Sequence, residues 1–600
     1  MKHYFNYQPI FLALLILVIQ IFLVWPVFFP TIDDIGPWDE AAYLHNGQML
    51  LDQGAWPIFA NNPLTTAFYA LTYLPFRSSL TWLLQSDALG RILAFGLLFT
   101  SVYLVARQFQ AATAAKNTGE AQNSVPLPAI VLGLFLVMPL STSMFAYPSD
   151  PLFAGLAGLS FWQVLAYYNT GRLRHVAGAS VLMGLAALAR NDGLVLFPIM
   201  VVALALISLQ WNKRRGVRSP LEILWTIAVS SLPFILLIGG YVVFYGFRTG
   251  VYDLGTMSRT YDNFEAGQGI IYAAPGEINT TSESQLAARQ AFGTPAENHY
   301  SIFIAIRRNP GVYLQRVVAL VKTLPSALLN AYGIRFAAVL FLLVLRGAWV
   351  LLHRKAYLLL LLLILWPLHL VSAFAITLVR VGHLQFPFYI VLALAALGLS
   401  AALEDLAHNR RAAAWAAVLI GLSTASLVTN KLAVFYGAAA FLLALMVIWF
   451  ARRWSVGLLA SSGWGVSATL LVILAAGLVL HGDYPSPTLL RPAQGPKIAA
   501  LTYLVENLPP NSRVAAAVPG PIWMAKMTYM GLASTDVPVN RTPAEFLEWI
   551  RIQDIRAVYV DSSLYNTNPA VWRLIEPQIG RGLERVYQVD QGNIQILLVH

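Results

Sequence analysis

Residues 10–30 read IFLALLILVIQIFLVWPVFFP, and residues 31–40 continue TIDDIGPWDE. The first stretch is long and apolar enough to cross a bilayer as an α-helix, which takes about 20 residues. It also exceeds the apolar stretch of a cleavable signal peptide, about 7–15 residues, and no small-residue cleavage site follows it. We therefore predict a retained first transmembrane helix that is followed at once by an acidic loop.

The whole chain shares this apolar character. Of its 600 residues, 58% are hydrophobic and only 11% are charged, whereas soluble globular proteins carry about 25% charged residues. A soluble fold of this size could not bury so much apolar surface, so the predicted solvent is lipid. The net charge of +11 does not indicate a nucleic-acid partner, because Lys and Arg cluster in short loops between apolar stretches. The absence of cysteine excludes disulfides and thiol chemistry.

Apolar stretches of spanning length follow one another along the chain. They predict about thirteen transmembrane helices, at roughly 10–30, 88–107, 127–146, 151–169, 175–190, 193–210, 222–246, 324–350, 356–378, 385–403, 412–429, 432–451 and 464–481. With Lys2 inside, the inner short loops carry the Lys and Arg residues and the outer ones are poor in both, as the positive-inside rule requires. The predicted fold is a polytopic α-helical protein of the cell membrane with a cytoplasmic N-terminus.

Three long segments fall outside in this topology, namely residues 31–87, residues 247–323 and the tail. In the tail, helix-like stretches alternate with strand-like ones, which predicts a small α/β domain. The helix-like stretches are 498–508, 544–552 and 571–579, and the strand-like ones are 513–518, 557–561 and 594–599. We predict a transmembrane domain at 1–481 and an extracytoplasmic domain at 482–600, which we interpret as a support or acceptor-docking domain.

The first outer loop holds four acids within eight residues, and the last two are Asp39 and Glu40. Residues 39–51 are typical of an amphipathic helix, on which neighbouring side chains point about 100° apart. One carboxylate could then face a cavity while the other holds the loop or a ligand. Helix capping explains the acids equally well, because negative charge complements a helix N-terminus. Both interpretations stay open on the local sequence.

Other charged residues lie in the short outer turns. Asp150 precedes Pro151, which suits a helix N-cap and does not preclude a second role. Arg190 lies two residues before Asp192, and an ion pair between them is the simpler interpretation of that turn. Arg380 breaks the charge rule of the outer loops. Its planar guanidinium suits a phosphate, and snorkelling to lipid headgroups explains it equally well.

Five short motifs occur in a fixed order over roughly the first 400 residues. They are Asp39-Glu40-Ala41-Ala42-Tyr43, Asn61-Asn62-Pro63-Leu64, Gly90-Arg91, Ala186-Ala187-Leu188-Ala189-Arg190-Asn191-Asp192-Gly193 and His383-Leu384-Gln385-Phe386-Pro387. Together with the topology, this order resembles the GT-C superfamily of membrane glycosyltransferases. Within it, the chain is most similar to the protein mannosyltransferase and aminoarabinose transferase group. The last motif departs from that group, which usually has Arg-Tyr where this chain has His383-Leu384.

The resemblance implies an inverting transferase that moves a hexosyl or pentosyl unit from a polyprenyl-phosphate donor to a hydroxyl of a glycan, lipid or protein acceptor. It implies that Asp39 is the catalytic base, that Glu40 is its neighbour and that Asp150 is a second acid that orients the acceptor or a metal. Positive charge at the departing phosphate would come from Arg380, from Arg190 or from a divalent ion. His383 stands in the segment that resembles the family's late motif, so it is the further candidate for phosphate binding.

The donor also needs a lipid-facing groove. Residues 309–322 predict a helix on the membrane surface that either walls this groove or is a plain interfacial helix.

Three other functions fit parts of the pattern. An O-antigen polymerase or ligase relies on basic loop residues rather than on an Asp-Glu loop. A lipid or sugar transporter carries polar residues near mid-membrane and broken helices, whereas the charges here concentrate at one face. A non-catalytic scaffold would use the acids only as helix caps. The glycosyltransferase is therefore the favoured hypothesis.

Overall fold

The computed structural model describes residues 39–54, 62–114, 127–128, 131, 149–216, 220–252, 254, 257–271, 282–332, 334–370, 383–384, 386–407, 495–532, 537, 541–562, 564, 569–589 and 593–600. In this part of the chain the structure is mainly helical, with one small sheet near the C-terminus. Two compact units make it up. The first is chiefly residues 93–484, and the second combines residues 25–58 and 65–92 with residues 485–600.

The helices of the first unit are the end of α3 (Trp82–Ala114), α4 (Ser149–Thr170), α5 (Leu173–Ala189), α6 (Asp192–Arg215), α7 (Pro220–Thr249), α8 (Met257–Ala266), α9 (Ser282–Phe292), α10 (Ile302–Arg308), α11 (Pro310–Ala331), α12 (Ile334–His353), α13 (Tyr357–Leu365) and α14 (Phe388–Ala407). Most of these helices are long and apolar, whereas α8, α9 and α10 are short. By length and composition, three stretches within the described residues could each cross a membrane, namely Trp82–Thr113, Asp192–Arg215 and Pro220–Thr249. The protein is thus an α-helical membrane protein, and the count of thirteen spans stays a prediction.

Several predicted spans match these helices closely. The tight hairpin predicted at 175–190 and 193–210 is formed by α5 and α6. The predicted span 324–350 is wrong in its bounds, because α11 ends at Ala331 and α12 begins at Ile334. Gly333, which favours a helix end, stands between them in the sequence. The predicted spans 10–30, 412–429, 432–451 and 464–481 and most of 127–146 lie outside the described residues.

The helices α12 and α14 approach each other at two glycines. A side chain at Gly347 would collide with the carbonyl of Leu394, and one at Gly398 would collide with the carbonyl of Leu343. Helices in a membrane often associate through such small residues. The hydrophobic effect does not drive their association in lipid, so van der Waals contacts between closely packed backbones do so instead.

The segment that the sequence predicts to be the second outer one forms a small group of helices with its own core. Buried Tyr261, Phe264 and Phe292 come together from α8 and α9. The nearly fully buried carboxylate of Glu265 accepts two hydrogen bonds from Arg289, each of 3.0 Å. This two-pronged pairing compensates a carboxylate that would otherwise be costly to bury.

The second unit contains a five-stranded sheet. Its helices are α1 (Asp39–Gln53), most of α2 (Pro63–Tyr73), the start of α3, α15 (Gly495–Asn507), α16 (Pro519–Met524), α17 (Pro543–Ile552) and α18 (Pro569–Ile575). Its strands are β1 (Arg513–Ala516), β2 (Thr528–Gly531), β3 (Ile555–Val560), β4 (Leu583–Val589) and β5 (Ile594–Val599). Their order is β2-β1-β3-β5-β4, with β1, β2 and β3 parallel and the β3–β5 and β5–β4 pairs antiparallel.

Side chains alternate between the two faces of this sheet, and both faces are covered. Val514 and Ala557 pack into a core with α1, α15 and α16, whereas Ala515 and Val558 pack into a second core with α17 and α18. All the helices and strands predicted for the tail are present within a few residues. The sequence did not indicate α16, β2 or β4. The predicted domain boundary at residue 482 lies outside the described residues.

Candidate functional site

A side-chain cluster in the first unit is built on the turn between α5 and α6. The helix α5 ends at Ala189, and Arg190 follows it with extended backbone angles of φ −156° and ψ 143°. The helix α6 begins two residues later, at Asp192. The amide of Gly193 bonds the carbonyl of Arg190 at 3.1 Å. Arg190 is thus the one extended residue of a two-residue link between the helices.

The Arg190 guanidinium contacts three other side chains. Its Nη1 donates to Oδ1 of Asp150 at the start of α4. Its Nε donates to Oδ2 of Asp192 at 3.0 Å, and its Nη2 lies 2.8 Å from Nε2 of His383. Three of the six predicted site residues, Asp150, Arg190 and His383, thus meet although they are far apart in sequence. The ion pair predicted between Arg190 and Asp192 is present as well.

The contact with His383 fixes the protonation of its ring. An arginine can only donate hydrogen bonds, so Nε2 of His383 must be the acceptor and carry no proton. In this arrangement the imidazole is neutral, with its proton on Nδ1. Protonation of Nε2 would remove the acceptor and place a second cation beside Arg190.

Aromatic rings complete one side of the cluster. The Arg190 guanidinium carbon lies 5.2 Å from the centre of the Phe386 ring, which is a cation–π distance. Phe386 also stacks on His383, with ring centres 5.3 Å apart, and meets Phe153 of α4 edge-on at 4.8 Å. These rings restrict the orientation of His383 and limit water access to the guanidinium.

The cluster is only slightly exposed to solvent. The side chain of Arg190 is 17% exposed, that of Asp150 is 5% exposed and that of Asp192 is 13% exposed. One guanidinium therefore faces two carboxylates in a weakly solvated site, where charges are costly unless paired. At least three of its five N–H groups are engaged within the protein, so the described contacts hold Arg190 in one orientation.

The hairpin that carries Arg190 depends on Gly193. A Cβ atom there would lie 2.5 Å from the backbone nitrogen of Ala187 and 2.9 Å from the carbonyl carbon of Ala186. We expect Gly193→Ala to lower the thermal midpoint in detergent, because overpacking of this kind costs roughly 1–3 kcal/mol. The matched control is Gly239→Ala, at a helical glycine with open space around its Cβ position. Equal midpoints for the two variants would contradict this account of the turn.

The remaining predicted site residues are only partly described. Asp39 and Glu40 are the first two residues of α1, and their side chains lie outside the described residues. The predicted helix at 39–51 is present and extends to Gln53. Arg380 also lies outside the described residues. The catalytic and phosphate-binding roles of all three stay predictions.

Some details differ from the sequence-based picture. Asp150 lies in the first turn of α4, which begins at Ser149, rather than at an N-cap before it. The motif arginine Arg91 donates to Asp87 at 2.7 Å, one turn earlier in α3, and both side chains are buried. Phe386 was not predicted as part of the cluster, although its place within the last motif was the available signal.

No three His, Asp or Glu side chains converge in a metal-binding arrangement within the part of the chain that the structure describes. The carboxylates of the cluster, Asp150 and Asp192, are both paired with Arg190. The divalent ion that the resemblance leaves open at the departing phosphate stays a prediction.

Comparisons with known proteins concern the fold. No protein-family model matches the chain, and no curated protein sequence matches it. The apo crystal structure of an Archaeoglobus fulgidus oligosaccharyltransferase matches 99% of this chain and 75% of that chain, at a TM-score of 0.52 and 14% identity. ArnT from Cupriavidus metallidurans, crystallised with undecaprenyl phosphate, matches 97% of each chain at a TM-score of 0.49 and 13% identity. The second similarity is too low to carry an argument, and the first shows a shared fold.

Proposed function

We propose, from a fold that agrees with the resemblance to the GT-C membrane glycosyltransferases, that this chain is a lipid-dependent glycosyltransferase. It moves a sugar from a polyprenyl-phosphate carrier to an acceptor hydroxyl on the outer face of the membrane. The polyprenyl chain of the donor lies in the bilayer, so an enzyme with membrane helices can bind the donor within the membrane.

One observation supports this proposal most strongly. The resemblance assigned functional roles to Asp150, Arg190 and His383 separately, and the three residues lie in different parts of the sequence. Arg190 contacts Asp150 across 40 residues of sequence and His383 across 193 residues. A scaffold in which the acids only cap helices gives no reason for an arginine, a carboxylate and an imidazole to converge from three elements.

The reaction is a single displacement at the anomeric carbon. The acceptor oxygen forms a bond to this carbon while the bond from the carbon to the phosphate oxygen breaks, and the phosphate leaves with the electron pair. A carboxylate takes the proton of the acceptor hydroxyl, which is a poor nucleophile while it is protonated. The leaving polyprenyl phosphate is already a stable anion, so the step needs no strong general acid. We assign the base role to Asp39, with Glu40 beside it.

The cationic and acidic residues then divide the other tasks. We assign Asp150 to orienting the acceptor and Arg190 to holding Asp150 in place, because the guanidinium already balances two carboxylates. A balanced guanidinium contributes little net charge to a departing phosphate. We therefore assign the phosphate contacts chiefly to Arg380 and to the ring of His383, with Arg190 as their neighbour.

The carrier's lipid chain requires an apolar surface, and α11 offers one. Leu314, Val318 and Val321 recur at helical spacing and are 63%, 47% and 61% exposed. Arg316 points the other way, is buried, and donates to the carbonyl of Phe264 at 2.7 Å. A helix that exposes apolar residues and buries its arginine suits contact with lipid. We propose that this face walls the groove for the polyprenyl chain.

Binding of the reaction product tests the proposal without knowledge of the sugar. Every donor of this class releases polyprenyl phosphate, so the detergent-purified protein should bind it whatever sugar it transfers. Quenching of intrinsic tryptophan fluorescence can report the binding, with the neutral polyprenol as the matched control lipid. We expect polyprenyl phosphate to bind at least tenfold more tightly than polyprenol, because two charge-assisted hydrogen bonds to phosphate contribute this much or more.

Equal affinity for polyprenyl phosphate and polyprenol would contradict a site that recognises the phosphate group. Movement of labelled lipid across proteoliposome bilayers, without release of polyprenyl phosphate from a sugar-charged donor, would identify a transporter instead.

A further inference from the structure

The helix that begins at Asp39 belongs to the same compact unit as the C-terminal tail. Ala41 and Leu44 of α1 are fully buried in one core with Ile522 and Met524 of α16. About 480 residues of sequence separate the two elements, so local chain connectivity does not bring them together. All six residues of α16 are buried, and this short helix therefore has little solvent-facing surface of its own.

We propose that the C-terminal domain is a positioning domain for α1 and, through α1, for Asp39 and Glu40 at its first turn. The proposal rests on the proposed function for the roles of these two acids. It assigns the tail a task that differs from acceptor docking, because the tail residues that contact α1 act by holding a helix of the same chain.

The first half of α1 is held by α16. The ring of His45 stacks on Trp523, with centres 4.6 Å apart and planes within 5°. Burial lowers the pKa of His45 to about 4, although a hydrogen bond with Gln48 opposes the shift, so this ring is neutral near pH 7 and stacks without a charge. A Cβ atom built on Gly520 would lie 4.0 Å from Cβ of Ala41.

The end of α1 is held by a polar network around Asp52. Arg77 donates to Asp52 at 2.6 Å, and the Tyr73 hydroxyl donates to it at 2.7 Å. Lys526 of the tail lies 3.5 Å from the same carboxylate and donates to the Tyr73 hydroxyl at 2.9 Å. Burial alone would raise the pKa of Asp52, but hydrogen bonds from Gln48 and Tyr73 and the nearby cations lower it overall. The carboxylate therefore stays charged at neutral pH.

The start of α3 is fastened to the same part of the tail. The indole nitrogen of Trp82 donates to the carbonyl of Met524 at 3.0 Å, and Trp82 is fully buried. The Tyr73 ring meets Trp82 edge-on, with centres 4.9 Å apart. The tail thus contacts α1 near both of its ends and also contacts the two helices that follow it.

Position matters for a residue that takes a proton. A general base must lie within hydrogen-bond reach of its proton, and a misplacement of about 1 Å can cost on the order of 100-fold in rate. Because α1 contacts the tail near both of its ends, the tail fixes the position of the whole helix. The tail contacts are therefore expected to act on the rate of the chemical step rather than on affinity for the acceptor.

A designed disulfide tests the contact directly, since the natural chain has no cysteine. The ideal separation of Cβ atoms in a disulfide is about 3.5–4.5 Å, so Ala41→Cys with Gly520→Cys should form one. The full-length protein is oxidised mildly and then unfolded in SDS, since both positions are buried in the folded protein. We then expect both thiols of the double variant to be protected from a polyethylene-glycol maleimide that shifts the band on a gel. Each single variant should stay reactive, and the oxidised double variant should keep wild-type transfer. Thiols that stay reactive after oxidation, or transfer lost on oxidation and recovered on reduction, would overturn the proposal.

Weakening the contact provides the kinetic test. Lys526→Met should lower kcat by about tenfold or more and leave KM for the acceptor unchanged, and Lys526→Arg should recover part of kcat. The matched control is Arg541→Met, which removes the same charge from an exposed tail position. A rise in acceptor KM with unchanged kcat would indicate acceptor docking and overturn the positioning role. Absence of transfer in the wild type would overturn the proposed function, whereas thiol protection still tests the contact.

Discussion

Replacing Asp39 by asparagine is expected to lower the rate of sugar transfer by about 100- to 10,000-fold, the range that a positioned general base contributes. Asparagine keeps the size of the side chain and can still form hydrogen bonds. It cannot take the proton of the acceptor hydroxyl. The measurement is transfer from a radiolabelled polyprenyl-phosphate sugar in proteoliposomes, with the wild type beside the variant. Binding of polyprenyl phosphate should stay unchanged, because the phosphate contacts are proposed for Arg380 and His383 rather than for Asp39.

The same acidic loop provides the control for this variant. Asp34→Asn removes one charge five residues earlier in the loop, and we expect it to keep most of the transfer rate. If both variants lost activity equally, the effect would come from the charge of the loop rather than from a base. Undiminished transfer by Asp39→Asn would disprove the role assigned to Asp39.

Replacing Arg190 by methionine is expected to lower stability and transfer together. The variant leaves Asp150 and Asp192 in a weakly exposed site without their shared cation. Removing one partner of a buried pair costs roughly 3–5 kcal/mol, and we expect the lower end because the cluster keeps some solvent contact. The thermal midpoint in detergent measures this loss. Arg190→Lys should recover only part of it, since one ammonium cannot reproduce a planar guanidinium with three directed contacts.

A double variant separates the two effects of Arg190. The double variant Arg190→Met with Asp150→Asn replaces one of the two carboxylates that lost their cation by a neutral amide. Its thermal midpoint should therefore be higher than that of Arg190→Met alone. Transfer should stay low, because Asp150, the acid proposed to orient the acceptor, is also absent. An Arg190→Met variant as stable as the wild type would show that the two ion pairs do not stabilise the turn.

The sequence was sufficient for the features that repeat over many residues. Long apolar stretches predicted the helices α4 to α7, and alternation predicted most elements of the tail. It was insufficient for β4, which lies at the edge of the sheet and pairs only with β5. An edge strand is not buried on both faces along its length, so Leu583–Val589 carries several exposed polar residues and lacks a strong apolar pattern.

Three members of the cluster around Arg190 were predicted as site residues, whereas their contacts could not be predicted from the sequence. The motifs indicated Arg190 and His383, and the resemblance indicated Asp150 as a second acid, each with its own role. They did not indicate that Arg190 would hold the other two, because contacts between elements 40 and 193 residues apart depend on tertiary packing. The hydrophobic pattern of α1 likewise shows that one face is buried and does not show that the tail buries it.

In the proposed reaction, the sugar of a polyprenyl-phosphate donor is transferred to an acceptor and polyprenyl phosphate is released. The most direct measurement counts the polyprenyl phosphate released and the sugar transferred by the wild type, in proteoliposomes that contain an acceptor and a sugar-charged polyprenyl-phosphate donor labelled in both parts. We predict one polyprenyl phosphate released for each sugar transferred, with no transfer from a nucleotide sugar. Labelled donor that crosses the bilayer intact, or sugar transfer without release of polyprenyl phosphate, would contradict it.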